Sequence, residues 1–493
     1  MRADRPNILL ILTDQHNPHI AGFAGDPWIE TSALDGLAAQ ATRFTAAYCQ
    51  SPLCVPARYA LWTGELAHRC RAWDNSAILS AEHVTLPGWL AQHGYVAAAV
   101  GKMHFRGSEQ MYGWQYRPYG DLVESAVSHH QPDPPDTADG RSFNHTVGRL
   151  PFAGPTAIPE SLLADEVVTI ESLALLLEFA AAHPDQPWFF CASYYRPHFP
   201  LTAPGRYVRK YLDKRMPQPS LPAGYPSALH PHDRFIVDDF NLLRFPDEVH
   251  RRAIACYYAS VTYVDRCIGR LLSELAEADL LENTCIVYTS DLGDMVGEHG
   301  LWWKRTYYDA SAGTPLLVRV PQQRSYVAVD VPVEHVDLFP TFCDWAGIPT
   351  PAGLDGESLA PLLAGRPEER TKRVARSALL GERPINRFRM VRDARWKYVD
   401  FPSARPRLFD LWHDPGETDD LLPHAPADAP LDALRRLVTA GGAWDEIAAA
   451  QAADRAQTLP FVKIGRGANQ YRLADDRVVD ADDHLYAPTV GPG

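Results

Sequence analysis

Short, nearly continuous apolar runs recur along the chain at residues 8–13, 96–100, 188–194, 285–290 and 316–320. A strand with no polar alternation has no face to give to water, so each run reads as a strand buried on both sides. Between them, residues 32–44, 162–182 and 248–278 carry apolar positions at helical spacing, as in Leu271, Leu272 and Leu275. This alternation predicts a layered α/β fold with helices on both sides of the sheet.

With 493 residues, 46% of them hydrophobic, the chain has material for one large domain and a smaller one. The pattern changes near residue 370. Residues 388–392 and 396–399 flank a turn at Asp393-Ala394, and 407–411 follow as a third strand, which predicts a small antiparallel-sheet subdomain. The expected organisation is a catalytic domain over 1–370 and a C-terminal subdomain with tail over 371–493. Proline-rich stretches at 132–159 and 216–231 read as surface insertions that shape a substrate entrance. The tail from 458 onward is polar and reads as a wrap over the body or a neighbouring subunit, and a homo-oligomer is expected.

The first apolar run is too short, and too promptly ended by Asp14, for a secretory leader, and no stretch approaches the roughly 20 apolar residues that span a bilayer. A cytoplasmic protein with no membrane partner is therefore expected. Eight cysteines without paired metal-site spacing read mostly as reduced core residues. A net charge of −14 argues against nucleic acid as partner, so a local positive site would need its own explanation.

Polar residues cluster where the apolar runs end, which is where open α/β sheets bind ligands. Asp14-Gln15 closes the first run, and an Asp here suits either a metal or a turn. Gly101-Lys102-Met103-His104 follows the second, with Lys102 and His104 spaced to point the same way. Pro197-His198-Phe199-Pro200 follows the third and fixes a histidine, which titrates near neutrality, on a stiff loop. Ser290-Asp291-Leu292-Gly293-Asp294 closes the fourth and leads on to Lys304; Asp294 reads as the cap of a helix starting at Met295, or as a further metal ligand.

The segment Ser51-Pro52-Leu53-Cys54-Val55-Pro56-Ala57-Arg58, followed by Thr63-Gly64, resembles the modification signature of sulfatases, in which the Cys of Cys-x-Pro-x-Arg is oxidised to formylglycine. The other elements match that family in order and spacing, and the resemblance extends to Arg395-Trp396-Lys397-Tyr398 and Leu408-Phe409-Asp410-Leu411. It implies the alkaline phosphatase-like fold, with a large, mixed, mostly parallel sheet sandwiched by helices and a smaller antiparallel sheet.

The implied roles follow residue by residue. Cys54, once converted by a formylglycine-generating enzyme, offers a hydrate whose one hydroxyl attacks sulfur while the other expels the sulfate by re-forming the aldehyde. Arg58 fixes that side chain, Lys102 and Lys304 contact the ester, His104 assists release, and His198 binds the sulfate and protonates the leaving oxygen. Asp14, Gln15, Asp291 and residue 54 would hold one divalent cation, calcium first, with manganese or magnesium as alternatives. Asn75, in Asp74-Asn75, is a polar contact to the ester by analogy with choline sulfatases and phosphonate monoester hydrolases, the relatives most similar in look. The family has His or Asn where this chain has Leu292, which cannot bind a metal.

Three readings result: a sulfuric ester hydrolase acting on a small anionic ester, a phosphonate monoester or phosphodiester hydrolase using the same residues, and a non-catalytic anion-binding relative suggested by Leu292. For the leaving group, Trp73, Tyr112, Trp114 and Tyr119 suit either a cage for a quaternary ammonium or ordinary packing.

Overall fold

Strand β1 (Asn7–Asp14) is buried along nearly its whole length and lies inside a seven-stranded sheet. The others are β2 (Thr42–Phe44), β3 (Val96–Gly101), β4 (Trp188–Pro197), β5 (Thr284–Ser290), β6 (Leu316–Arg319) and β7 (Val327–Val329). Their order is β7-β2-β6-β5-β1-β4-β3. Strands β5, β1, β4 and β3 run parallel, whereas β6 runs antiparallel to both of its neighbours. The computed structural model describes residues 5–122, 150–214, 216–381, 384–458 and 470–481.

Period-two geometry divides each apolar run between two helical layers. Leu9 and Ile11, with Phe190 and Ile286, face α1 (Ser32–Ala38), α4 (Ala164–Ala182) and α5 (Asp247–Glu277). Ile8, Leu10 and Leu12, with Phe189 and Val287, face α2 (Cys54–Thr63), α3 (Leu86–Gln92) and α6 (Leu338–Ala346). This is the sheet sandwiched by helices that the apolar runs predict. The stretch 32–44, expected to be one helix, departs from it: the helix ends at Ala38 and residues 42–44 form β2 between β6 and β7. Pairing on both edges outweighs local spacing over so short a segment.

Beyond the main sheet, β8 (Ala375–Leu379), β9 (Phe388–Arg392), β10 (Trp396–Asp400) and β11 (Arg407–Asp410) form an antiparallel sheet in sequence order. It has one strand more than the expected three, because β8 carries Arg376 and Ser377 and shows no apolar run. In the tail, β12 (Gln470–Arg472) and β13 (Val478–Asp480) pair as a hairpin. The Tyr471 hydroxyl lies 2.9 Å from the Arg117 carbonyl and 2.7 Å from that of Tyr119, so this part of the tail lies on the body. Most of the proline-rich stretch 132–159 lies outside the described residues. In the second such stretch, Tyr225 reaches the Gly300 carbonyl at 3.4 Å. All eight cysteines are free and buried. No helix among the described residues is long and apolar enough to cross a membrane.

The C-terminal sheet grips one segment of the main body with three cations. Lys397 on β10 places its ammonium 2.5 Å from Asp309 Oδ1, 2.6 Å from Glu417 Oε1 and 3.1 Å from the Tyr307 carbonyl. Arg392 on β9 reaches Asp309 Oδ2 at 3.0 Å. Arg407 on β11 donates to the Tyr307 and Tyr308 hydroxyls at 2.6 and 2.8 Å. Residues 307–309 begin three positions after Lys304, so the small sheet fixes the loop on which that lysine stands.

Removing one partner from a buried ion cluster strands the others' charge. Lys397→Met should therefore lower unfolding stability by about 3–5 kcal/mol in urea titrations, with an unchanged m-value. A loss below about 1 kcal/mol would show that the cluster is not anchored by this ammonium.

Candidate active site

The carboxyl ends of β1, β3, β4 and β5 lie at one edge of the sheet and deliver Asp14, the Lys102–His104 segment, His198 and Asp291 to one place. Cys54 opens α2 above them and is 1% exposed. Its Sγ lies 2.8 Å from Lys304 Nζ, 4.0 Å from Lys102 Nζ and 3.7 Å from Asp14 Oδ1. Donor atoms of Asp14, Cys54 and His198 all lie within 4.8 Å of one another. Asn75 Oδ1 accepts the Val55 N–H at 3.1 Å, satisfying one of the free donors at the start of α2 next to the cysteine.

Arg58, one turn into α2, is wholly buried. Its Nε donates to Asp291 Oδ2 at 2.9 Å, and its Nη1 to the Ser193 hydroxyl at 3.1 Å and to the Lys102 carbonyl. Its Nη2 stands 3.6 Å from Asp14 Oδ2, which also pairs with the Lys102 ammonium. Three cations thus share two carboxylates, leaving a positive excess inside an acidic protein, as an anion-binding site requires.

Burial works to raise the Asp14 carboxyl, but Lys102, Lys304 and Arg58 outweigh it and hold it at about 2. Asp291 goes the other way, raised by burial and by the charge of Asp14 despite Arg58. Burial would lower Lys102, but Asp14 more than restores it and raises the ammonium above its ordinary value. The Cys54 thiol is pushed up by burial and by Asp14, against the pull of the two lysines. An unmodified Cys54 is consequently a protonated thiol at neutral pH, a poor nucleophile.

Two histidines are fixed differently. His198 Nδ1 is 2.6 Å from the Phe199 carbonyl, an acceptor only, so the proton sits on Nδ1 and Nε2 is the atom that gains or loses one. His104 is buried, and Asp121 holds its segment by accepting the Met103 and His104 backbone N–H groups at 2.9 and 3.0 Å.

Gln15 stands in the left-handed region at φ 67°. Its N–H donates to Asp291 Oδ1 at 3.0 Å, its carbonyl accepts the Tyr257 hydroxyl at 2.7 Å, and its Nε2 donates to Asp294 Oδ2 at 2.5 Å. Its Oε1 is buried and has no hydrogen-bond partner. An orphaned carbonyl oxygen on the residue that follows Asp14, its backbone N–H held by Asp291, fits a hard divalent cation, which takes oxygen donors. Leu292 contributes none; it is fully buried against Cys49, Cys54 and Ala57. Asp294 caps no helix, because Met295 lies outside any regular element and residues 296–297 form a turn; its Oδ1 instead accepts the Val296 and Trp303 N–H groups at 2.9 and 3.1 Å.

The four aromatic residues considered for a cage fall in three different clusters, Tyr112 and Trp114 sharing one. Trp114 stacks on Phe189 with centroids 5.1 Å apart, the Tyr112 hydroxyl donates to the Leu79 carbonyl at 2.8 Å, and Trp73 Nε1 donates to Asp454 at 2.7 Å. Tyr119 accepts the tail hairpin through its carbonyl. Ser193, Tyr257 and Asp121 support the site without any sequence signal, since each belongs to it only through packing of distant segments.

A family model described as Sulfatase matches residues 6–348, and one described as N-sulphoglucosamine sulphohydrolase, C-terminal, matches residues 297–438. The chain is 31% identical over 459 residues to a choline-sulfatase of Rhizobium meliloti (strain 1021), covering 90% of this chain and 88% of that protein. It is 28% identical over 432 residues to arylsulfatase K of Gallus gallus, covering 84% and 78%. Among solved structures, the phosphonate monoester hydrolase of Agrobacterium radiobacter superposes with a TM-score of 0.70 at 24% identity, covering 91% of this chain and 96% of that one. BT4656 in complex with its substrate D-glucosamine-2-N,6-O-disulfate gives 0.71 at 24% identity, covering 91% and 98%.

Because Asp14 is ionised in the fold down to about pH 2 and in the unfolded chain only to about 3.8, its contribution is present above that range and lost as pH falls through it. In chelator, Asp14→Asn should be less stable than the natural chain at pH 6 by at least about 2 kcal/mol, the gap narrowing from pH 4 toward 2. A gap constant with pH in urea titrations would show that charge is not what Asp14 contributes.

Proposed function

The chain belongs to the sulfatase family of hydrolases acting on sulfuric or phosphonic esters, and on that premise we propose that it cleaves a sulfate ester with a nucleophile made from Cys54. The observation that carries this reading is the setting of Cys54: a buried, protonated thiol at a helix start, 2.8 Å from one lysine and 4.0 Å from another. Such a thiol is of no use as it stands, while the surrounding cations suit an anion. Conversion to formylglycine gives residue 54 a hydrate with one hydroxyl for attack and a second for release. A formylglycine-generating enzyme would reach Cys54 only before α2 packs, since the folded side chain is 1% exposed.

A divalent cation, calcium first, would be held by Asp14, Gln15, Asp291 and residue 54, and would supply Lewis-acid stabilisation of developing oxygen charge. Lys304 and Lys102 hold the anionic ester against residue 54 and neutralise charge as the ester bond breaks. Arg58, bonded to Asp291 and beside Asp14, holds both carboxylates in place. His198, with Nδ1 committed to the Phe199 carbonyl, delivers a proton from Nε2 to the departing oxygen. His104, behind Lys102, assists release of the sulfate.

Phosphonate monoesters are the second reading, favoured by the shared tetrahedral, anionic substrate geometry and the fold of the Agrobacterium enzyme. Sulfate is preferred because the 31% identical relative covering 90% of the chain is a choline-sulfatase.

A panel of sulfate, phosphonate and phosphate esters with a common aryl leaving group should give the highest kcat/KM for sulfate; a higher value for phosphonate would reverse the two readings. On sulfates of alkyl alcohols, His198→Ala should lose about 10²–10⁴-fold in kcat, with a much smaller loss on activated aryl sulfates that need no proton. Equal losses on both would restrict His198 to binding.

A further inference from the structure

The loop that follows β5 contains a carboxylate, Asp294, that the chemistry above leaves unused. It is 1% exposed. Its Oδ1 is committed to two backbone N–H groups, those of Val296 and Trp303, at 2.9 and 3.1 Å. Only Oδ2 is left, and it receives Gln15 Nε2 at 2.5 Å.

We infer that Asp294 is a positioning residue: by accepting the Gln15 amide N–H, it turns the amide so that Oε1 faces the cation site between Asp14 and Asp291. This rests on the metal-dependent reading above and adds what sets the orientation of its neutral ligand. Because Oδ2 accepts from Gln15 Nε2, the amide presents its NH₂ to Asp294 and its oxygen away from it. That oxygen is buried and without a partner, a cost a fold does not carry without a use.

The backbone is held with equal care. Gln15 sits at φ 67°, a conformation unfavourable for a non-glycine residue that persists where neighbours over-determine it. Asp291 fixes its N–H and Tyr257 its carbonyl, at 3.0 and 2.7 Å. The Asn17 side chain ties the same loop to the Asp294 carbonyl at 2.7 Å, and its N–H donates to the Tyr257 hydroxyl at 2.8 Å. Asp294 thus holds the Gln15 side-chain amide, Asp291 and Tyr257 hold its backbone, and Asn17 ties down the loop that carries Asp294. The amide supplies a neutral oxygen in a site where Leu292 offers none.

Calorimetric titration of Ca²⁺, Mn²⁺ and Mg²⁺ into the chelator-stripped full chain tests this without reference to turnover. Asp294→Asn is isosteric and keeps Oδ1 on its two backbone donors, but sets an amide NH₂ against Gln15 Nε2. Donor then meets donor, the Gln15 amide turns over, and its NH₂ faces the cation. The dissociation constant should rise about 10–100-fold. Adding Gln15→Glu to that variant restores an acceptor for the amide introduced at position 294 and an oxygen for the cation, and should return affinity to within about threefold of the natural chain. Should Asp294→Asn fail to fold, Gln15→Met, which keeps the shape and removes the oxygen, should show the same loss.

Natural-chain affinity in Asp294→Asn or Gln15→Met, or a double variant as weak as Asp294→Asn, would overturn the inference and leave the metal-dependent reading standing. A natural chain that takes up none of the three cations would overturn that reading itself, and the positioning role with it.

Discussion

The ion cluster of Arg58, Lys102 and Lys304 with Asp14 and Asp291 is the constraint from which the rest of the molecule follows. Lysine and arginine almost never lie so deep without partners, because removing them from water costs several kcal/mol each. Here the partners come from different strands: Asp14 from β1 and Asp291 from the end of β5, with Arg58 on α2 bridging them. The cluster closes only if those strands are parallel neighbours with aligned carboxyl ends, which is the arrangement of β5, β1, β4 and β3. The two lysines of the cluster face residue 54, their ammonium groups 2.8 and 4.0 Å from its Sγ.

The smaller sheet serves the same cluster from outside. Lys304 stands on a loop that turns back from β5 before β6, and such a loop is mobile unless tied down. Lys397, Arg392 and Arg407 tie down residues 307–309, three to five positions beyond it. The subdomain thereby holds the segment next to Lys304 in place.

How much of this was legible in the sequence depended on the range of the interaction. Runs such as 8–13 and 188–194 read correctly as strands because burial on both faces leaves an uninterrupted apolar signature. β2 and β8 left no such mark, since three residues are too few for a period and Arg376 breaks the pattern of the other. Asp14, Lys102, His198 and Asp291 were legible as strand-end residues, and the contact of Lys304 with Cys54, 250 positions apart, only through resemblance. Asp294 read as a helix cap because its local sequence allows one; its real partner, Gln15, is 279 positions away, and no local pattern encodes that. Trp73 shows the same limit, because nothing in its local sequence separates its contact with Asp454 from the core packing of Tyr112 and Trp114.

The central claim is that activity resides in a converted Cys54 and not in its thiol, which burial and Asp14 keep protonated. Preparations with graded extents of maturation provide the direct measurement: the peptide containing residue 54 is weighed, the converted form being lighter by about 18 Da, and sulfate-ester turnover is measured on the same samples. Turnover should rise in proportion to the converted fraction and extrapolate to zero for pure thiol. Turnover that is independent of that fraction, or full in unconverted protein, would contradict the account.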